Sequence, residues 1–124
     1  MIKFCATSIV ALLAMGGVAL AESQSWNVTE EGLSGIKNAQ GVWAVKSEGG
    51  KISGVAELQL QNGSPLGYKI EGTSEAGVVT INLVDRTDGK KDCVWTGKEG
   101  AGFKGLAGDV LCGGKKTLLL RASH

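Results

Sequence analysis

Apolar and polar positions alternate with a period of two along much of the chain. Leu66, Tyr68 and Ile70 share one face, while Gly67, Lys69 and Glu71 share the other. Further on, Val79, Ile81 and Leu83 alternate with Val78, Thr80, Asn82 and Val84. A period of two is that of a β-strand with one buried face. The pattern predicts strands at roughly 24–28, 42–47, 51–60, 66–72, 77–85, 91–97, 103–112 and 116–122. No window carries a convincing 3.6-residue period; the nearest, Thr29 to Ala39, is weakened by Gly32 and Gly35. Glu48-Gly49-Gly50, Asn62-Gly63-Ser64-Pro65 and Asp88-Gly89 supply turn chemistry between the runs. Connections this short pair neighbouring strands antiparallel, and a meander must then deal with two exposed edges. Closure removes them, so the expected fold is all-β: an antiparallel meander of about eight strands in a closed or nearly closed β-barrel with one disulfide. An open sandwich is the alternative.

The N-terminus follows a different logic. Lys3 precedes an apolar run from Ile9 to Leu20, and Ala19-Leu20-Ala21 has the small-x-small form of a signal-peptidase site. Residues 1–21 are therefore expected to be a signal peptide, with 22–124 a single barrel-like domain that is periplasmic or secreted. The apolar core is short for a membrane span, and no membrane anchor is expected after cleavage. Glycine supplies 18 of the 103 residues from Glu22 onward, without a collagen period, as in a protein of short strands and tight turns. Without Lys3, 12 Lys and Arg balance 12 Asp and Glu, and Lys90-Lys91 and Lys115-Lys116 are the largest basic clusters. That balance argues against a nucleic-acid partner, and both lysine pairs read as solvated turn or edge residues.

Two cysteines remain in the predicted domain, Cys93 and Cys112. An even pair in an exported domain reads as a disulfide, and the 18 residues between them make it worth about 3 kcal/mol in the chain-entropy picture. If Cys93 lies opposite Cys112, then Trp95 faces Val110, and Gly97 faces Gly108 with room beside the indole. An internal repeat complicates this register. Val42-Trp43 through Glu48-Gly49 to Ile52-Ser53-Gly54-Val55-Ala56 and Leu60 is echoed by Val94-Trp95 through Glu99-Gly100 to Phe103-Lys104-Gly105-Leu106-Ala107 and Leu111. The first copy puts Ile52, Ala56, Leu58 and Leu60 inward, whereas their counterparts Phe103, Ala107, Asp109 and Leu111 fall on the face away from the disulfide. A bulge near Gly105 or a wrong register would account for the conflict.

The Gly41-Val42-Trp43 opening, with Arg121 on the last strand, resembles the calycin barrels, among them lipocalins and avidins. The resemblance implies that Arg121 packs over Trp43. Val94-Trp95-Thr96-Gly97 followed by Gly102-Phe103-Lys104-Gly105-Leu106 also looks like an avidin strand pair. Biotin binding does not carry over: Val45 stands where an avidin has Asn, and Cys93 where it has a hydroxyl. Bacterial barrel-type protease inhibitors open similarly, and shared architecture does not bring shared function.

Catalysis has little to stand on. With His124 the only histidine and no free cysteine expected after Cys5 is removed, Ser-His-Asp and Cys-His nucleophiles are excluded. Glu57 and Glu71 read as solvent-facing strand carboxylates, and Asp85, Asp88 and Asp92 as a polar hairpin tip without EF-hand spacing. No catalytic residue, metal or cofactor is expected. The candidate ligand-binding residues are Trp43, Tyr68, Trp95, Phe103 and Arg121, while Trp26 is expected to plug one barrel end. Two non-enzymatic functions follow. A barrel binding a small apolar or aromatic molecule requires indoles partly accessible in a cavity. A protein-interaction module, such as an inhibitor or envelope assembly partner, requires a filled core and an active loop or edge, with 62–65 and 85–92 the candidates.

Overall fold

A computed structural model describes residues 22–100 and 103–123, with backbone alone for Glu22, Gly100, Phe103 and Lys104. The predicted signal peptide lies outside these residues. Eight strands run in chain order: β1 (Glu22–Glu31), β2 (Lys37–Glu48), β3 (Lys51–Leu60), β4 (Pro65–Glu75), β5 (Val78–Val84), β6 (Cys93–Gly100), β7 (Phe103–Cys112) and β8 (Lys115–Ser123). Each pairs antiparallel with the next, and β1 pairs with β8 to close a barrel. The fold is thus the closed all-β meander that the alternation predicts. The weak helical window of 29–39 is instead the end of β1, a turn and the start of β2.

Three connections are two-residue turns with positive φ at both positions: Gly49-Gly50, Ala76-Gly77 and Gly113-Gly114. Their twist matches that of the flanking strands. Asp88-Gly89 does not make such a hairpin. β5 ends at Val84 and β6 begins at Cys93, so the pair sits inside a longer loop, 85–92, entered and left at positive φ by Asp85 and Asp92.

The inward positions form one core. Trp26 and Val28 of β1 meet Trp43 and Val45 of β2, Ala56 and Leu58 of β3, Tyr68 and Ile70 of β4, Ile81 and Leu83 of β5, Trp95 of β6, Val110 of β7, and Leu118 and Leu120 of β8. Several inward positions carry glycine where a neighbouring strand or ring comes close. A Cβ at Gly108 would stand 1.7 Å from the Thr96 carbonyl oxygen, and one at Gly97 would stand 2.4 Å from the Trp95 ring. The indole of Trp95 thus lies over the residue two places along its own strand, in the room expected there.

The disulfide joins Cys93 to Cys112 as directly opposed residues, with Trp95 opposite Val110. The expected register is therefore correct. The conflict with the repeat is resolved against the repeat's second strand: Trp43 and Trp95 both point inward, but Leu111 is exposed whereas its counterpart Leu60 packs on the core. One ladder irregularity falls near Gly105 as expected, because Glu99 pairs with Leu106 and Gly100 with Phe103, leaving Lys104 and Gly105 unmatched on β7; another lies between Val110 and Leu111. An offset beginning at the β6–β7 turn puts β7 in the opposite phase from β3.

Candidate functional site

Trp43, Tyr68 and Trp95 converge because β2, β4 and β6 each present them inward. Trp43 meets Trp95 edge-on with centroids 5.3 Å apart and Tyr68 edge-on at 6.3 Å. Trp26 stacks on Trp43 at 6.1 Å with planes 20° apart, and its Nε1–H donates to Gln24 Oε1. Such geometries suit the ring quadrupoles. Trp43 and Trp95 are both 0% exposed, and Tyr68 is 4% exposed. No surface on either indole is left for even a water-sized molecule. The Trp95 Nε1–H donates to the Leu120 carbonyl at 3.1 Å, so this buried donor is satisfied within the wall.

The polar end of this cluster was not foreseen. The Trp43 Nε1–H donates to the Tyr68 hydroxyl at 3.0 Å, and that hydroxyl donates to Glu30 Oε2 at 2.6 Å. Glu30 is 0% exposed. Arg86, from the 85–92 loop, answers it with a two-pronged contact, Nη1 to Oε2 at 3.1 Å and Nη2 to Oε1 at 2.9 Å. The other side of the guanidinium grips Asp88, through Nε at 3.1 Å and Nη2 at 2.7 Å. Its plane also lies 4.8 Å from the Tyr68 ring centre. Thr87 pins the loop to β4, its N–H donating to the Gly67 carbonyl while its hydroxyl accepts from the Gly67 N–H. Arg86 therefore caps one end of the barrel, and every member of the chain from indole to carboxylate has a partner.

Electrostatics follow from this closeness. Burial, then the charge of Glu30 and the hydrogen bond to it, push the Tyr68 phenol well above its usual pKa. Burial opposes the charge on Asp88, but hydrogen bonds from Arg86 and the Lys90 backbone, with the charges of both residues, bring its carboxyl down to about 2. Burial likewise opposes the Arg86 charge and is outweighed by its hydrogen bonds and the two carboxylates, which raise its pKa.

The remaining candidates lie apart. Arg121 points outward between the buried Leu120 and Ala122 and pairs with Glu31, so it does not pack over Trp43 as the calycin resemblance implies. Arg86 instead supplies the buried cation, reaching Tyr68 from a loop. The Phe103 side chain lies outside the described ones. Glu57 and Glu71 are exposed on the outer wall. Among the described residues no three His, Cys, Asp or Glu are grouped to hold a metal ion.

The outer wall carries concavities. A groove of about 1010 Å³ crosses β1 to β4, lined by Asn27, Thr29, Gln40, Val42, Glu57 and Gln59, with Gly63, Pro65 and Thr87 at its rim. A second, of about 480 Å³, continues along the same strands past Ser25, Ala44, Ser53 and Val55. Val42 and Val55 stand exposed between amide and hydroxyl side chains. The groove's rim includes the 62–65 turn singled out in the sequence, whereas its floor gives no sequence signal beyond outward strand parity. No known family, curated protein or solved structure matches the chain.

Proposed function

We propose that this chain is an exported, non-enzymatic interaction module whose filled barrel is a rigid support for its outer surface. Of the two functions expected from the sequence, the protein-interaction reading gains support from one observation above the others. Trp43 and Trp95 are wholly buried, and Tyr68 is tied into a closed hydrogen-bonded chain, so the aromatic cluster offers no mouth to a small molecule. Protein partners need a surface that mixes apolar contact with solvent-facing hydrogen-bonding groups. The groove over β1 to β4 has that character, with Val42 flanked by Gln40, Asn27 and Gln59. An extended segment of a partner protein fits its length and its amide-rich lining.

The test is site-specific photocrosslinking in cells that make the protein. A photoreactive residue at Gln40 or Gln59 should give a discrete adduct, and one at Glu75, near the other end of the barrel, should give none. Native mass spectrometry of the protein from its own source gives the opposing outcome. A small molecule retained in the native mass and lost on denaturation would return the function to ligand binding.

A further inference from the structure

In a closed meander the β1–β2, β3–β4, β5–β6 and β7–β8 connections all lie at one end of the barrel. That end carries an unusual tip. The β1–β2 turn, closed by hydrogen bonds from Gly32 N–H to the Ile36 carbonyl and from Gly35 N–H to the Gly32 carbonyl, holds Leu33 at 61% and Ile36 at 69% exposure. They are the two most exposed large hydrophobic side chains described, and both sit on one five-residue turn. Leu111, also exposed, lies at the same end beside Lys116.

Lysines stand at this end of the barrel. Lys37 directly follows the tip. The β1–β8 ladder stops at Glu31 opposite Leu119, so the first part of β8, with Lys115 and Lys116, runs on alongside the turn. The acids nearest in register are Glu31, already paired with Arg121, and Asp109, paired with Lys116 at 3.5 Å. At the same end Lys90 pairs with Asp88, while Lys91 stands on a loop that also carries Asp85 and Asp92, the last accepting through its carbonyl from Gly113 N–H in the turn before Lys115. Among the described residues neither Lys37 nor Lys115 has a carboxylate partner, although the whole chain is nearly neutral.

We infer that this end of the barrel docks onto an anionic lipid bilayer, with Leu33 and Ile36 entering the acyl boundary while Lys37, Lys115 and Lys116 lie among the headgroups. The composition selects lipid over a protein partner here. Protein interfaces favour Trp, Tyr and Arg as anchors and are depleted in Lys, whereas an aliphatic tip with lysines at the same end suits a headgroup layer. Two aliphatic residues give only reversible association, so attachment depends on anionic lipid and weakens with salt. This surface is separate from the β1–β4 groove, and the two inferences stand or fall independently.

The experiment places a polarity-sensitive dye on Ser34→Cys and a control dye on Glu75→Cys at the opposite end. Vesicles of phosphatidylglycerol with phosphatidylcholine should shift the Ser34 dye to the blue and leave the Glu75 dye unchanged. Pure phosphatidylcholine, or high salt, should largely abolish the shift. In the Ser34→Cys background, Leu33→Ser with Ile36→Ser should weaken partitioning about tenfold or more, and Lys115→Glu with Lys116→Glu should remove the preference for anionic lipid. All four side chains are exposed, and unchanged tryptophan emission will show that the barrel still folds. No shift on anionic vesicles, an equal shift on neutral ones, or full binding by the Leu33/Ile36 variant overturns the proposal. So does a Ser34 dye silent to vesicles that responds to a second copy of the chain or to another protein.

Discussion

Replacing Arg86 by Met tests the cap that closes the barrel. The substitution keeps most of the apolar stem and removes four charge-assisted hydrogen bonds, two to Glu30 and two to Asp88. Among the described residues Glu30, with its side chain 0% exposed, then keeps the Tyr68 hydroxyl as its remaining side-chain partner. Removing one member of a buried ion pair costs about 3–5 kcal/mol, because the other charge stays desolvated and unanswered. A domain of this size has only about 5–15 kcal/mol of stability in total, so the variant should lose a large share of it. The matching fall in Tm is at least about 12 °C. Urea unfolding followed by the emission of the buried tryptophans measures the loss. The decisive variant is the double, Glu30→Gln with Arg86→Met. With both charges gone, it should be more stable than the sum of the two single losses by about 1 kcal/mol or more. Additive losses, or a single-variant loss below about 1 kcal/mol, would refute the account of the cap.

Other expectations follow from the same geometry. Asp88 titrates near 2 when folded and near 3.9 when unfolded, so its contribution is present above the higher value and disappears as pH falls from about 4 to about 2. Asp88→Asn should flatten that part of the acid stability curve, and acid titrations of both proteins will show whether it does. Tyr68 is the only tyrosine, and its raised pKa means that the stability it confers holds below about 10 and declines as the pH climbs beyond it. Tyrosinate absorbance should therefore appear together with alkaline unfolding; ionisation at about 10 with native tryptophan emission would contradict the buried hydrogen bond to Glu30. Replacing Cys93 and Cys112 by Ala should cost about 3 kcal/mol in chemical denaturation. Gly97→Ala should displace the Trp95 indole, seen as altered near-ultraviolet circular dichroism and a lower Tm, because the new methyl would overlap the ring.

What the sequence made legible was whatever has a period or a chemical rule behind it. Alternation located β3 and β7 at their observed bounds, and the cysteine pair gave the β6–β7 register. The barrel's polar cap escaped for two physical reasons. Glu30 continues the inward series of Trp26 and Val28, but beside Glu31 and Gly32 it reads as a solvated strand end. Counting by twos from Trp26 would have exposed it. Arg86 lies in a loop without period, and nothing local says that its side chain turns back into the barrel. Tyr68, Trp43 and Trp95 were found as aromatic strand residues, yet whether such residues line a cavity or fill a core depends on how the other inward side chains pack against them. Arg121 was favoured through the calycin resemblance, and its outward parity between Leu120 and Ala122 was the counter-signal.

The seam between β1 and β8 sets the order in which the molecule is made. Seven of the eight ladders join strands adjacent in the chain, but the eighth joins its two ends, pairing Thr29 with Arg121 and Glu31 with Leu119. Hairpins form quickly because little chain entropy is lost in closing them, whereas a contact at this separation waits for the rest. It is also brief, with five residue pairs from Asn27 opposite Ser123 to Glu31 opposite Leu119. Until it zips, β1 and β8 are two open edges, each able to accept the complementary strand of a second chain. Exchange of β1 between copies is thus the characteristic error of this fold. Lys115 and Lys116 at the start of β8 instead disfavour β8–β8 pairing between copies, since an edge carrying like charges is a poor template for a copy of itself.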